Sequence, residues 1–186
     1  MPMSYDFSNC FPPHAARVHE VFGAGALGFA AIVGGQSGGS VLWIAGRWRH
    51  EQINPAGLAP YCDPSAVVLV QGADQTECLA SAETALRSGA VSVVVVELEK
   101  PLSLIAGRRL NLAAQAGETT CILVIPEGMG SNAAETRWRC VPVFDPQDST
   151  LQHWALIKNK AGTLGVWMIR WDAETRRVIM VSKAGE

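Results

Sequence analysis

Three features of this 186-residue sequence predict an α/β fold: a mostly parallel β-sheet flanked by helices on both faces, with a C-terminal antiparallel strand extension. Short apolar runs alternate with helical patterns over roughly the first two thirds of the chain, the arrangement of a parallel sheet with crossover helices. The first run ends in a glycine turn that opens a helix. The last third holds four strand-like runs without intervening helices, and two of their links, Asn159-Lys160-Ala161-Gly162 and Asp172-Ala173-Glu174-Thr175, are short enough for hairpins.

In order, residues 1–16, with Pro2, Pro12 and Pro13, read as a flexible N-terminal arm, and 17–186 as a single core domain. Val18 to Phe22 is the first buried strand. A helix follows from about Ala26, and Gly34, Gly35, Gly38 and Gly39 predict a turn at its far end. Ser40 to Ala45 is the second strand. Arg47 to Tyr61 reads as one irregular helix broken at Pro55 and Gly57. Ala66 to Val70 is a third strand. Asp74 to Arg87 is the clearest helix, with Cys78, Leu79, Ala82, Ala85 and Leu86 on one face and Gly89 just past its end. Val91 to Val96 is a β-branched run of the kind buried on both faces. Pro101 is placed to open a helix through Ala116, and Thr120 to Ile125 is another buried strand. Trp138 to Phe144, Leu151 to Lys158, Val166 to Trp171 and Arg177 to Ser182 complete the strands.

Composition narrows the function. Residues of the hydrophobic class make up 48% and charged residues 17%. The usual charged share is about 25%, so the polar skin is thin, which favours a protein partner. A net charge of −2 argues against a broad basic face for nucleic acid. Five scattered cysteines and four scattered histidines lack metal-ligand spacing. An odd thiol count without a signal peptide suits a reducing cytoplasm without disulfides. No apolar stretch approaches the roughly 20 residues of a membrane span.

The glycine turn has the frame of a phosphate-binding loop. Gly23 and Gly28 stand with four residues between them, as in G-x-x-x-x-G-K-[ST], but the next positions are Phe29 and Ala30. In a working loop, backbone amides and a helix N-terminus hold phosphate, Lys neutralises it and Ser or Thr binds magnesium. Phe29 brings no charge and Ala30 no hydroxyl. One lysine charge about 4 Å from a phosphate charge is worth roughly 4 kcal/mol at an effective dielectric near 20. The other reading of the turn is a tight strand-to-helix connection kept for packing.

The element order resembles the ATPase core of the RecA family, and a closer match is the RecA-related ImuA group of the bacterial SOS response. The runs that carry it are Val18-His19-Glu20-Val21-Phe22-Gly23, Val41-Leu42-Trp43-Ile44, Ser131 to Arg139, and Leu156-Ile157-Lys158-Asn159-Lys160 followed by Trp167 to Trp171. The resemblance places Glu97 where the family's magnesium-side acid would stand. It places Arg47 near the position of the water-activating glutamate, and arginine stays protonated, so it cannot be a general base. It therefore implies a pseudo-ATPase with a degenerate nucleotide site at Gly23, Gly28, Phe29, Ala30, Arg47 and Glu97, with no cofactor and no metal. A solvated strand-end carboxylate is the plainer reading of Glu97.

The resemblance further implies an accessory factor of error-prone translesion synthesis and DNA repair, acting through ImuB, an error-prone polymerase and RecA, with nucleic-acid contact indirect or weak. The short stretch before the first strand leaves no room for RecA's joining helix, favouring an adaptor or filament terminator. Candidate partner-binding residues are Lys158 and Lys160, Trp154, Trp167 and Trp171, and Arg137 and Arg139. Against these stand plain roles: solvated turn lysines, and Trp167, Ile169 and Trp171 as a core row on one strand face. A SulA-like inhibitor of FtsZ and a residual nucleotide-binding protein are the rival functions.

Overall fold

The computed structural model describes residues 7–183. Among them nine strands form one sheet: β1 (Val18–Phe22), β2 (Val41–Gly46), β3 (Val67–Gly72), β4 (Val93–Glu97), β5 (Thr120–Val124), β6 (Thr136–Pro142), β7 (Gln152–Asn159), β8 (Gly165–Asp172) and β9 (Arg177–Lys183). Their order is β3-β2-β4-β5-β1-β6-β7-β8-β9. β3 through β6 in that order run parallel. β7, β8 and β9 add on antiparallel beyond β6, the β7–β8 and β8–β9 hairpins following their short links, whereas β6, expected in the antiparallel extension, pairs parallel with β1. β4 reads Val-Val-Val-Val-Glu because it lies inside the sheet with both faces covered, and all five residues are buried.

Side-chain alternation divides the core in two. One face of the sheet packs on α1 (Ala26–Gln36), with Val21, Trp43, Val95 and Ile122 beneath Phe29, Ala30 and Ile32. The other packs on α3 (Gln75–Ser88) and α4 (Leu104–Ala116), with Val18, Phe22, Ile44, Val94 and Leu123 against Cys78, Leu86 and Leu110. A short helix, α2 (Pro55–Leu58), is capped by Asn54 and starts on Pro55. It is all that forms of the irregular helix expected over Arg47 to Tyr61.

Three expectations need correction. Residues 7–16 do not extend as an arm: Phe7 and Phe11 are buried, and Phe11 packs on Phe29 and Trp154 with ring centroids 5.8 and 5.1 Å apart. Aromatic burial outweighs the prolines there; residues 1–6 of the expected arm lie outside the described residues. α1 runs through Gly34 and Gly35 rather than turning at them. Close packing explains the glycine, since a Cβ on Gly35 would sit 2.1 Å from the Tyr61 carbonyl oxygen. α4 starts at Leu104, not Pro101, because the Ser103 side chain accepts the Ala106 amide at 3.1 Å.

The α3 boundaries match their sequence signals. Asp74 caps the helix by accepting the Glu77 amide at 2.9 Å, and the Glu77 carboxylate in turn accepts the Ala73 amide. Gly89 closes the helix at φ 65°. Asp74→Ala is expected to cost about 1 kcal/mol, read as a lower urea midpoint with unchanged slope.

Candidate functional site

In an open α/β sheet the strand ends that lead into helices are where ligands bind. Here the end of β1 is the Gly23 turn. Gly23 has φ 99°, and a Cβ on it would lie 2.4 Å from the Cys140 carbonyl oxygen of β6. The Gly25 amide donates to that same carbonyl at 2.9 Å. Gln152 of β7 closes the turn from above: its Oε1 would lie 2.6 Å from a Cβ on Gly25, and it accepts the Trp154 indole N–H at 2.8 Å.

Helix α1 starts at Ala26, so Gly28, Phe29 and Ala30 already lie inside it. The four residues between Gly23 and Gly28 therefore do not form an open loop of amides. Phe29 points into the core. It is fully buried, with ring centroids 4.9 Å from Trp154 and 5.5 Å from Trp138. Ala30 is equally buried.

Glu97, at the end of β4, is not a solvated carboxylate. It is 6% exposed, its Oε1 accepts the Trp43 indole N–H at 2.9 Å, and its Oε2 lies 2.7 Å from Arg49 Nε. Each oxygen thus has one protein partner, Trp43 or Arg49, and the Arg49 guanidinium already balances the carboxylate's charge. Beside it is a cleft of about 180 Å³, lined by Trp43, Arg49, Ile53, Leu69 and Glu97. Arg47 is exposed, and only its backbone is tied, with its amide donating to the Gly72 carbonyl at 3.0 Å. The structure thus joins Gly23, Gly28, Phe29 and Ala30 in one turn and helix, and places Arg47 and Glu97 at neighbouring strand ends without contact between them. Among the described residues no cluster of three or more His, Cys, Asp or Glu is placed to hold a metal ion.

The basic candidates lie mostly at the opposite end of β1. Glu20 is fully buried; its Oε1 accepts the Ser131 amide at 2.7 Å and its Oε2 accepts Arg137 Nε at 2.7 Å. Arg137 Nη2 also donates to the Ser131 carbonyl at 2.9 Å. Lys158 donates to the carbonyls of Asn132 and Ala134, and Lys160 to that of Ala133 at 2.9 Å. Burial, then the charges of Lys160 and Arg137, pull the Lys158 ammonium below its ordinary range. These lysines are not simply solvated turn residues, since they tie down the segment before β6. Arg139 stands apart, in the middle of β6 beside Phe22 at the end of β1, with Glu127 at 3.9 Å as an exposed partner.

The tryptophans are core, which removes them as an exposed docking surface. Trp154, Trp167 and Trp171 are all at or below 6% exposure. Trp154 and Trp167 face each other across β7 and β8, and Trp171 donates to the Pro60 carbonyl at 3.0 Å. Their inward direction follows from the cover supplied by α1, Phe7 and Phe11.

Three residues with structural consequence have no assigned role in the sequence reading: His19, Glu20 and Gln152. Two ionisable residues inside the buried strand Val-His-Glu-Val-Phe were the available signal, since a buried charge needs a partner. The described residues contain no helix long and apolar enough to cross a membrane. Cys62, Cys78, Cys121 and Cys140 are free thiols, and burial pushes those of Cys121 and Cys140 up.

No family model matches the chain. It is similar to Protein ImuA of Caulobacter vibrioides strain NA1000 / CB15N, at 31% identity over 160 residues, covering 72% of this chain and 64% of the relative. Protein ImuA of the strain ATCC 19089 / CIP 103742 / CB 15 matches to the same extent. The chain thus spans 64% of the length of the curated relatives it matches.

Proposed function

The chain belongs to the ImuA family, and from that premise we propose that it is a non-catalytic, RecA-like accessory protein of the bacterial SOS response. It acts in error-prone translesion synthesis and DNA repair, in the cytoplasm, through contacts with ImuB, an error-prone polymerase or RecA. Residues 17–186 are its RecA-like unit, with residues 7–16 folded onto it.

The Gly23 turn is the observation that carries the non-catalytic part. A phosphate site of this kind needs free amides between strand and helix, a cation and a hydroxyl. Here the helix begins at Ala26, the Gly25 amide is spent on Cys140, and the Lys position holds a buried phenylalanine. The engaged state of Glu97 supports the same reading. The β1–turn–α1 unit inside a parallel sheet, with antiparallel strands beyond β6, supports RecA-like ancestry. A protein of that shape without turnover fits an adaptor or filament terminator that offers a RecA-like face to its partners.

Two measurements test this. Purified protein is expected to co-precipitate with ImuB or RecA; binding to neither, with all components folded, counts against the pathway. Millimolar ATP–magnesium is expected to leave the melting temperature unchanged. A ligand at 100 times its Kd would add about 2.7 kcal/mol, so a rise of several degrees that disappears in Glu97→Ala would refute the non-nucleotide reading. Inhibition of FtsZ assembly at near-stoichiometric ratio would instead favour a SulA-like role.

A further inference from the structure

Helix α4 leaves an apolar face uncovered. At about 100° per residue, Leu104, Arg108, Leu112 and Ile105 fall on one side of it. The three aliphatic residues are 46%, 62% and 74% exposed for Leu104, Leu112 and Ile105. The opposite side, with Leu110, Ala113 and Ala114, is buried on the sheet. Leu104, Arg108 and Leu112 follow one another at i, i+4 and i+8 along this face, so the two leucines flank the Arg108 stem, with Ile105 beside them at the helix start.

Leu104, Arg108 and Leu112 line a groove of about 560 Å³ between α4 and the segment held by Arg137, Lys158 and Lys160, and Ile105 stands outside it. Its floor is fixed by Asn111, whose side chain donates to the Ala133 carbonyl at 2.7 Å and accepts the Val18 amide at 3.2 Å. Its rim carries Arg17, Arg108 and Lys160 against one acid, Glu135. Glu135 sits 3.9 Å from Lys160. Among the described residues neither Arg17 nor Arg108 has a carboxylate within ion-pair distance. The groove lies at the far end of β1 from the Gly23 turn.

We propose that this groove binds an acidic amphipathic helix of a protein partner, its apolar residues on Leu104 and Leu112 and its carboxylates on Arg17, Arg108 and Lys160. Charge complementarity selects the sign of the occupant, and the two exposed leucines, two turns apart, select the apolar face of a helix. A nucleic acid fits less well, because no aromatic side chain lines the groove to stack a base. The rim has three cations, too few for a backbone-tracking channel.

The probe is a fluorescein-labelled helical peptide of about 18 residues, long enough to hold helix when packed, with Leu at the i, i+3 and i+4 anchors and Glu on its flanks. Fluorescence anisotropy with the full chain is expected to show saturable binding that weakens with salt. Arg108→Glu and Leu112→Ser should each weaken it by about tenfold or more while the melting temperature stays near the parent value, since both side chains are exposed. The same peptide with Lys in place of Glu should not bind. The proposal is overturned by absence of saturable binding at millimolar peptide, by equal binding of the Lys peptide, or by indifference to both substitutions. Single-stranded DNA binding through Arg108 without peptide binding would also overturn it.

Discussion

Arg137→Ala is expected to destabilise the protein by about 3–5 kcal/mol, the usual cost of removing one partner from a buried ion pair. Glu20 is fully buried in the middle of β1, and Arg137 Nε, 2.7 Å away, is the only cation in contact with its carboxylate among the described residues. Without it the carboxylate keeps only the Ser131 amide. The guanidinium also holds the Ser131 carbonyl, so the segment leading into β6 loses a second tie. Glu20→Gln combined with Arg137→Ala should recover part of the loss, because no charge is then left unpaired. Urea unfolding of the parent, the single and the double variant measures both effects. A single variant within about 1 kcal/mol of the parent would show that Glu20 finds another partner. The same loosening should weaken peptide binding at the α4 groove, whose far wall is this segment.

Lowering the pH should destabilise the protein through His19. This imidazole is fully buried between the Thr136 hydroxyl at 2.7 Å and the His14 carbonyl at 2.8 Å. Burial lowers its pKa from 6.5 to about 4, with the His14 carbonyl opposing the shift. Between those values the unfolded chain binds the proton that the folded chain refuses, so stability is full above pH 6.5 and falls as the pH drops toward 4. At about 1.36 kcal/mol per unit the whole effect is about 3 kcal/mol, and roughly 2 kcal/mol of it is gone by pH 5. Acidic groups titrate in the same range, so the comparison is with His19→Gln, which removes only this site. The parent should lose about 2 kcal/mol more than His19→Gln between pH 7 and pH 5. Parallel pH profiles would show that His19 is not the titrating group.

Much of the fold was legible because strand and helix are written in local chemistry. Asp74 and Gly89 bracket α3 by capping, and the valines of β4 announce burial on both faces. The hairpins β7–β8 and β8–β9 follow from their short links, whereas the parallel pairing of β6 with β1 has no local signal. The helix starts were less legible. Pro101 and Ser103 both suit a helix opening, and only the Ser103 hydroxyl bonded to Ala106 decides between them. The glycines of α1 read as breakers because the contact that needs them, the Tyr61 carbonyl against Gly35, comes from a distant segment.

The candidate site was legible in its letters and not in its geometry. Phe29 and Ala30 show from sequence that no lysine or hydroxyl stands at the turn. That α1 begins early enough to absorb Gly28, and that Cys140 takes the Gly25 amide, depends on β6 lying beside β1. Glu97 offered a strand-end acid, and its engagement by Trp43 and Arg49 required β2 and β4 to be neighbours.

Periodicity and capping determined the elements, their order and the parallel-then-antiparallel division of the sheet, because those depend on residues within a few positions of one another. Tertiary structure decided which faces became interior. Trp167, Ile169 and Trp171 share a strand face by alternation alone, but that face is core only because α1, Phe7 and Phe11 cover it. Glu20 finds Arg137 across 117 positions of sequence, a pairing with no local signature. Burial and charge pairing are properties of elements brought together, so they were settled by the sheet order and not by any single run of residues.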